Sequence, residues 1–319
     1  RSQGFATEEI PGGCFCCRFN SLVEAARTLT ASARPDVFIA EPVGSCTDLV
    51  ATVTYPLRRL YGDDFRIAPL SVLVDPIRAR RILGLEKGGS FSEKVLYIYR
   101  KQLEEADLIV VSKRDLLDAP RLAELVQALE RAYPKASVLS VSARTGDQLE
   151  PWFVRLTGNE QARQATMAVD YDVYADGEAL LGWLNATVAA EATTEFDGNA
   201  LLQRLATEIQ SRLATRGAEV AHLKMTLSPD QGLGDIAVVN LVRNDFVPEL
   251  SLRLEHPVRR AQVIVNLRAE CPPDFLRQAV EQALAAAPAQ FPNLTMRLEH
   301  AEQFQPGRPT PTHRDQVAI

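Results

Sequence analysis

Four short runs of continuous apolar residues set the terms for the first half of this chain: DVFIAE (36–41), LSVLVD (70–75), LIVVSK (108–113) and ASVLSVSA (136–143). None alternates polar with apolar, so each reads as a strand buried on both faces, the habit of parallel sheets. Helical patterns lie between them at 47–61, 92–106 and 120–133. In the last, Leu122, Leu125, Val126 and Leu129 share one face, as in a helix laid on a sheet. Strand and helix in alternation predict an α/β domain with a parallel sheet.

The rhythm changes after residue 166. A strand is expected in 171–184, then a helix with Asp197 as N-cap, the stripe Leu201, Leu205, Ile209, Leu213, and Gly217 as C-cap. HLKMTL, DIAVVNLV and AQVIVNL read as strands, followed by a helix over 274–286 and a strand over 294–298. The order β-α-β-β-β-α-β is that of a ferredoxin-like sandwich with one added strand. A chain of 319 residues suits two domains. The expected division is an α/β domain at 1–160, an α+β domain at 161–302, and a Pro-rich extended tail at 303–319.

A net charge of −6 argues against nucleic-acid binding, which needs a surplus of Lys and Arg. No apolar stretch is long enough for a bilayer span. The five cysteines are an odd number without framework spacing, which points to a reducing compartment, the cytoplasm, where grouped thiols serve metals or catalysis.

Four constellations carry chemistry. In GGCFCC (12–17), Cys14 and Cys16 point the same way in an extended segment, and a turn after Gly12 and Gly13 can fold Cys17 toward them. Three thiolates suit Zn(II), and also Cu(I) or Co(II), and leave one coordination position open. Buried or redox-active sulfur is the alternative reading. In IAEPVGSC, Glu41 and Gly44 stand where a strand gives way to a helix, the edge at which α/β sheets gather ligands. A carboxylate there can hold hydrated Mg²⁺, and a glycine admits a phosphate to the backbone N–H. Cys46 reads as a small buried residue. In VVSKRD, Lys113 and Asp115 follow a buried strand, and the Asp115 carboxylate can accept from guanine N1–H and its exocyclic amine. Ser142 and Ala143 end the next strand, within reach of the same base. The histidines, His222, His256, His300 and His313, read as structural or solvated, with one of them open as a fourth ligand.

Taken in order, GGCFCC, EPVG (41–44), VLVD (72–75), SKRD (112–115) and SAR (142–144) resemble the CobW-type branch of the SIMIBI GTPases, related to the HypB and UreG metal chaperones. The resemblance covers about residues 10–158. It implies a P-loop NTPase-like domain and a GTP-dependent metal chaperone, with GTP, Mg²⁺ and Zn²⁺ or Co²⁺ as its ligands. By resemblance Cys14, Cys16 and Cys17 are metal ligands, Glu41 and Gly44 the catalytic switch, and Ser112, Lys113, Asp115, Ser142 and Ala143 the nucleotide readers. Ser112 stands where that family has Asn, a hydroxyl in place of a bracing amide. No G-x-x-x-x-G-K-[ST] phosphate loop occurs in the sequence. The family carries it upstream of the cysteines, so the expectation is a chain that starts inside the domain. The intact protein is then a GTPase, and this chain alone is inactive. The implied partner is a client metalloenzyme or a cofactor-pathway protein, with homodimerisation open. The alternatives are a nucleotide-dead metal-binding scaffold and a GTPase chaperone of a cofactor enzyme such as a corrinoid-dependent one.

Overall fold

The structure is a computed structural model that describes residues 5–11, 13–161, 165–231 and 234–316. It divides into two units: residues 1–174 together with 308–319, and residues 175–307. The division thus falls later than 160, and the last segment joins the first unit rather than trailing as a free tail.

In the first unit α1 (Phe19–Ala33) precedes α2 (Tyr55–Tyr61), β1 (Ser71–Val74), α3 (Pro76–Ile82), α4 (Glu93–Glu104), β2 (Leu108–Val111), α5 (Ala119–Ala132), β3 (Ser137–Ser140) and α6 (Leu149–Thr157). The three strands form a parallel sheet ordered β1-β2-β3, in register from Ser71↔Leu108 and Leu108↔Ser137. All four residues of β2 are buried. Ile109 and Val111 pack on one face with Val74, Leu103, Leu125 and Leu129, while Leu108 and Val110 pack on the other with Val141 and Trp152. Continuous burial therefore explains the continuous apolar run, as parallel pairing requires.

One expected strand is absent. Residues 36–41 are neither helix nor strand, and Val37 and Ile39 are 58% and 94% exposed. An apolar run becomes a strand only where a neighbour supplies ladder hydrogen bonds. Among the described residues β1 has a partner only in β2, and segment 36–41 pairs with neither edge of the sheet. The helix expected at 47–61 forms, but begins with a π turn at Val50–Thr54. Such turns insert an extra residue per turn and recur at functional sites.

The second unit follows α7 (Tyr171–Ala179), which occupies most of the stretch read as a strand. Its run carries too few β-branched residues to hold an extended chain, and β4 starts at Leu181 instead. There follow β4 (Leu181–Phe196), α8 (Gly198–Ala214), β5 (Val220–Pro229), β6 (Ala237–Leu241), β7 (Glu249–Leu252), β8 (Val258–Glu270), α9 (Pro273–Ala286) and β9 (Leu294–Phe304). The sheet order is β7-β6-β5-β8-β4-β9, with every paired neighbour antiparallel. β9-β4-β8-β5 is the ferredoxin-like sandwich, and the hairpin β6-β7 extends it at β5. The insertion adds two strands where one was expected, because ELSL in β7 is too short and too polar to announce itself.

Asp197 caps α8 by accepting from the amides of Asn199 and Ala200 at 2.8 and 3.1 Å. Gly217 takes φ +64° just past the helix end, the left-handed conformation that favours glycine. Leu201, Leu205, Ile209 and Leu213 are each 0–1% exposed against the sheet. Leu205→Ala should therefore cost about 2–5 kcal/mol, and Asp197→Ala about 1 kcal/mol. Both should lower the urea midpoint of this unit without changing the slope of its transition.

Candidate metal centre and nucleotide pocket

The cysteine loop is a tight turn. The amides of Cys17 and Arg18 both donate to the Cys14 carbonyl, at 3.1 and 2.9 Å, and α1 starts at once with Phe19. Gly13, before it, holds φ +153°, and Gly12 lies outside the described residues. The turn gathers the sulfurs of Cys14, Cys16 and Cys17 within 4.8 Å of one another. Cys14 Sγ is 2.7 Å from Cys16 Sγ and 3.4 Å from Cys17 Sγ, and the latter two are 3.7 Å apart.

Zinc at about 2.3 Å from each sulfur sets tetrahedral S···S edges of about 3.8 Å. The Cys16–Cys17 edge already has that length, and the Cys14–Cys16 pair must open by about 1 Å to accept the metal. The thiols share their protons unequally. Hydrogen bonds from Cys16 and then Cys46 hold the Cys14 thiol well below its ordinary range. The same proximity to Cys14, with burial, pushes Cys16 far up. A site of one thiolate braced by thiols is poised to trade protons for a cation.

The segment at residues 312–315 lies against this loop and the helix that follows it. Thr312 donates its amide to the Cys16 carbonyl at 2.8 Å and its hydroxyl to the Cys17 carbonyl at 3.2 Å. His313 stands edge-on to the buried Phe19 ring at 4.9 Å and is not among the clustered donors. Arg314 donates to Asp48 Oδ2 at 2.7 Å, and Asp315 takes Arg59 at 3.0 Å.

Glu41 and Gly44 are exposed, on a turn that follows the unpaired segment rather than a strand. A Cβ on Gly44 would meet nothing within 4 Å, so no neighbour enforces that glycine here. The turn is pinned from behind. Gln102 on α4 donates to the carbonyls of Gly44 and Cys46, both at 2.8 Å. Tyr174 donates to the Ser45 carbonyl and accepts the Thr47 amide, at 3.2 and 3.3 Å. Beneath it lie two buried carboxyls, Asp48 and Glu105, each 1% exposed. Asp48, at φ +63°, accepts from Arg314 and from Tyr171 at 2.8 Å. Glu105 accepts from the Val50 amide at 3.0 Å and the Thr47 hydroxyl at 3.3 Å, and burial raises its pKa to about 8.

At the other end of β2, Ser112 donates from amide and hydroxyl to the Val74 carbonyl, at 3.0 and 2.9 Å. Lys113 takes a left-handed φ of 50° and places Nζ 3.6 Å from Asp75 Oδ2. Asp115 faces Arg144 at 3.9 Å. Asp115 and Ser142 line one cavity of about 480 Å³, floored by Leu117, Leu122 and Val126. Ser112, Lys113 and Ala143 lie off that lining, so the structure gathers the predicted readers only in part. The cavity supplies an acceptor carboxylate over an apolar floor, a fit for a planar base bearing donors.

Residues 1–140 match the family profile "CobW/HypB/UreG, nucleotide-binding domain". This segment belongs to that family. No curated protein matches the chain. Among solved structures, Zn(II)-bound YjiA GTPase from E. coli aligns at 14% identity over 73% of this chain and 67% of that one, with a TM-score of 0.25. A Zn(II)-bound triple mutant of YjiA aligns with the same figures. At that score the likeness bears no weight beside the family match. The sequence reading missed Asp48, Gln102 and Glu105 in the matched segment, and Arg314 outside it. One signal was available: Glu105 ends α4, where the helix dipole disfavours an acid.

The raised Glu105 pKa has a definite sign. The folded protein keeps that proton up to about pH 8, whereas the unfolded chain loses it near 4.5. The folded state then binds more protons across that window, and stability falls as pH rises through it, by at most about 1.4 kcal/mol per unit. Glu105→Gln should flatten that decline between pH 5 and 8 in urea titrations followed by circular dichroism. An unchanged slope would show the carboxyl to be ionised in the fold.

Proposed function

We propose that this protein is a GTP-dependent metal chaperone that carries a thiophilic divalent ion, zinc first and cobalt second, on Cys14, Cys16 and Cys17. The observation that carries the reading is the approach of these sulfurs within 4.8 Å of one another inside a CobW-type segment. Three soft donors with a fourth position open suit a site that must also give its metal up. Carboxylate ligands would suit Mg²⁺ or Ca²⁺ better, and none joins this group among the described residues.

The nucleotide belongs at the C-terminal ends of the parallel strands, where α/β sheets place their ligands. Asp115 would read guanine by accepting two donors, with Ser142 in the lining of the same cavity. Glu41 would hold the hydrated Mg²⁺ that accompanies the phosphates, and GTP bound with Mg²⁺ supplies the energy that separates loaded from released states. This chain's own contribution is the turn at residues 41–47, tied to α4 through Gln102 and Glu105. A shift of that turn would reach the cysteine loop directly, because Cys46 on the turn is hydrogen-bonded to Cys14. The recipient is a client metalloenzyme or an enzyme of a cofactor pathway.

Loaded with one equivalent of Zn²⁺ and dialysed against buffer, the protein should retain the metal, read by elemental analysis. The Cys16→Ala, Cys17→Ala double variant should retain little. Equal retention by the two would remove the metal role. Asp115→Asn should exchange a preference for guanosine for one for xanthosine nucleotides, because an amide donates where the carboxylate could only accept. Competition with a fluorescent nucleotide would read it, and an unaltered preference would place the base elsewhere.

A further inference from the structure

Zinc takes four ligands, and the loop at residues 14–17 offers three sulfurs. No histidine or carboxylate among the described residues stands within 4.8 Å of all three. A fourth thiol stands at the edge of the group. Cys46 is 2% exposed and hydrogen-bonds to the Cys14 sulfur, but it is not within 4.8 Å of all three loop sulfurs.

Its backbone makes that position adjustable. Cys46 closes a turn by donating its amide to the Val43 carbonyl at 2.8 Å, and that turn contains Gly44. The turn is held by side chains, Gln102 and Tyr174, and not by a strand ladder. A buried cysteine that serves only as packing would keep apolar company. This one is directed at another sulfur.

We propose that Cys46 is the fourth ligand of the metal centre, a thiolate carried to the three loop sulfurs by the turn at residues 43–46. The inference rests on the metal-handling reading above and adds how the centre opens. With Cys46 drawn in, four thiolates enclose the ion as in closed structural sites; with Cys46 withdrawn, three remain and one position is open for transfer. Each thiol that binds gives its proton to solvent, so closure also releases protons. The turn that bears Glu41 and Gly44 thereby sets the coordination number.

The test is X-ray absorption at the zinc edge of the full chain carrying one Zn²⁺, with optical spectra of the Co²⁺ form. Four sulfur scatterers at about 2.3 Å are expected, whereas three sulfurs with one lighter atom at about 2.0–2.1 Å would overturn the proposal. In Cys46→Ser the sulfur-to-cobalt charge-transfer absorbance should fall by about a quarter, one thiolate in four, with Cys271→Ser as the unaffected control. A Cys46→Ser spectrum equal to that of the wild type would also overturn it. If the unsubstituted protein shows no charge-transfer band and holds no zinc, the metal reading itself fails. If it shows the band of three thiolates, only the role of Cys46 fails.

Discussion

Burial of β2 on both faces is the constraint from which the first unit follows. Leu108, Ile109, Val110 and Val111 are each 0% exposed, so helices must cover both sides of the sheet. That requirement places α3 and α5 on one face and α6 on the other, with Trp152 donating to Ser71 at 3.1 Å to fix α6. It also sends β1, β2 and β3 out at one edge together. Asp75, Ser112 and Val141, with Ser142 next after it, leave the sheet together because their strands run in register, not because they are near in sequence.

Beside the turn at residues 43–46 the protein buries two carboxyls and surrounds them in different ways. Asp48 is held by the Arg314 guanidinium and the Tyr171 hydroxyl, both donating to its Oδ2. Glu105 accepts from the Val50 amide and the Thr47 hydroxyl and keeps its proton, which avoids the cost of an isolated buried charge. Both choices tie the turn to something distant in the chain: Asp48 to residue 314, Glu105 to the end of α4. Asp48 accepts a left-handed backbone, a strain of order 1 kcal/mol that the surrounding bonds must offset.

What the sequence made legible was whatever depends on local pattern. The three parallel strands, of which only β2 is buried throughout, the helices at 92–106 and 120–133, the Asp197 cap and the Leu201–Leu213 stripe all follow from periodicity and capping. So does the cysteine loop, because a four-residue turn is a local object. What failed was non-local. DVFIAE has the composition of a strand and lacks a neighbour to pair with, which composition cannot reveal. The segment 171–179 looked extended until the start of β4 at Leu181 claimed the strand pattern. Cys46 read as a small buried residue, and its burial is real; its direction toward Cys14 depends on how the turn at residues 43–46 folds.

The Pro-rich end of the chain shows the same limit most sharply. PTPTHRD is polar and proline-rich, the composition of an unattached tail, and composition alone predicts no contact. Its order arises from bonds made to others: Thr312 to two carbonyls of the cysteine loop, Arg314 to a buried acid, and Asp315 to both Arg59 and the Ala51 carbonyl. These reach the cysteine loop, Asp48, the π turn at Val50–Thr54 and α2. A segment so placed braces the carbonyl side of residues 16 and 17 and leaves their sulfurs directed at one another. The cysteine loop is therefore held from two sides, by the turn that carries Cys46 and by residues 312–315. Only the turn brings a further sulfur toward the loop, through the hydrogen bond of Cys46 to Cys14, whereas residues 312–315 meet it through carbonyls alone.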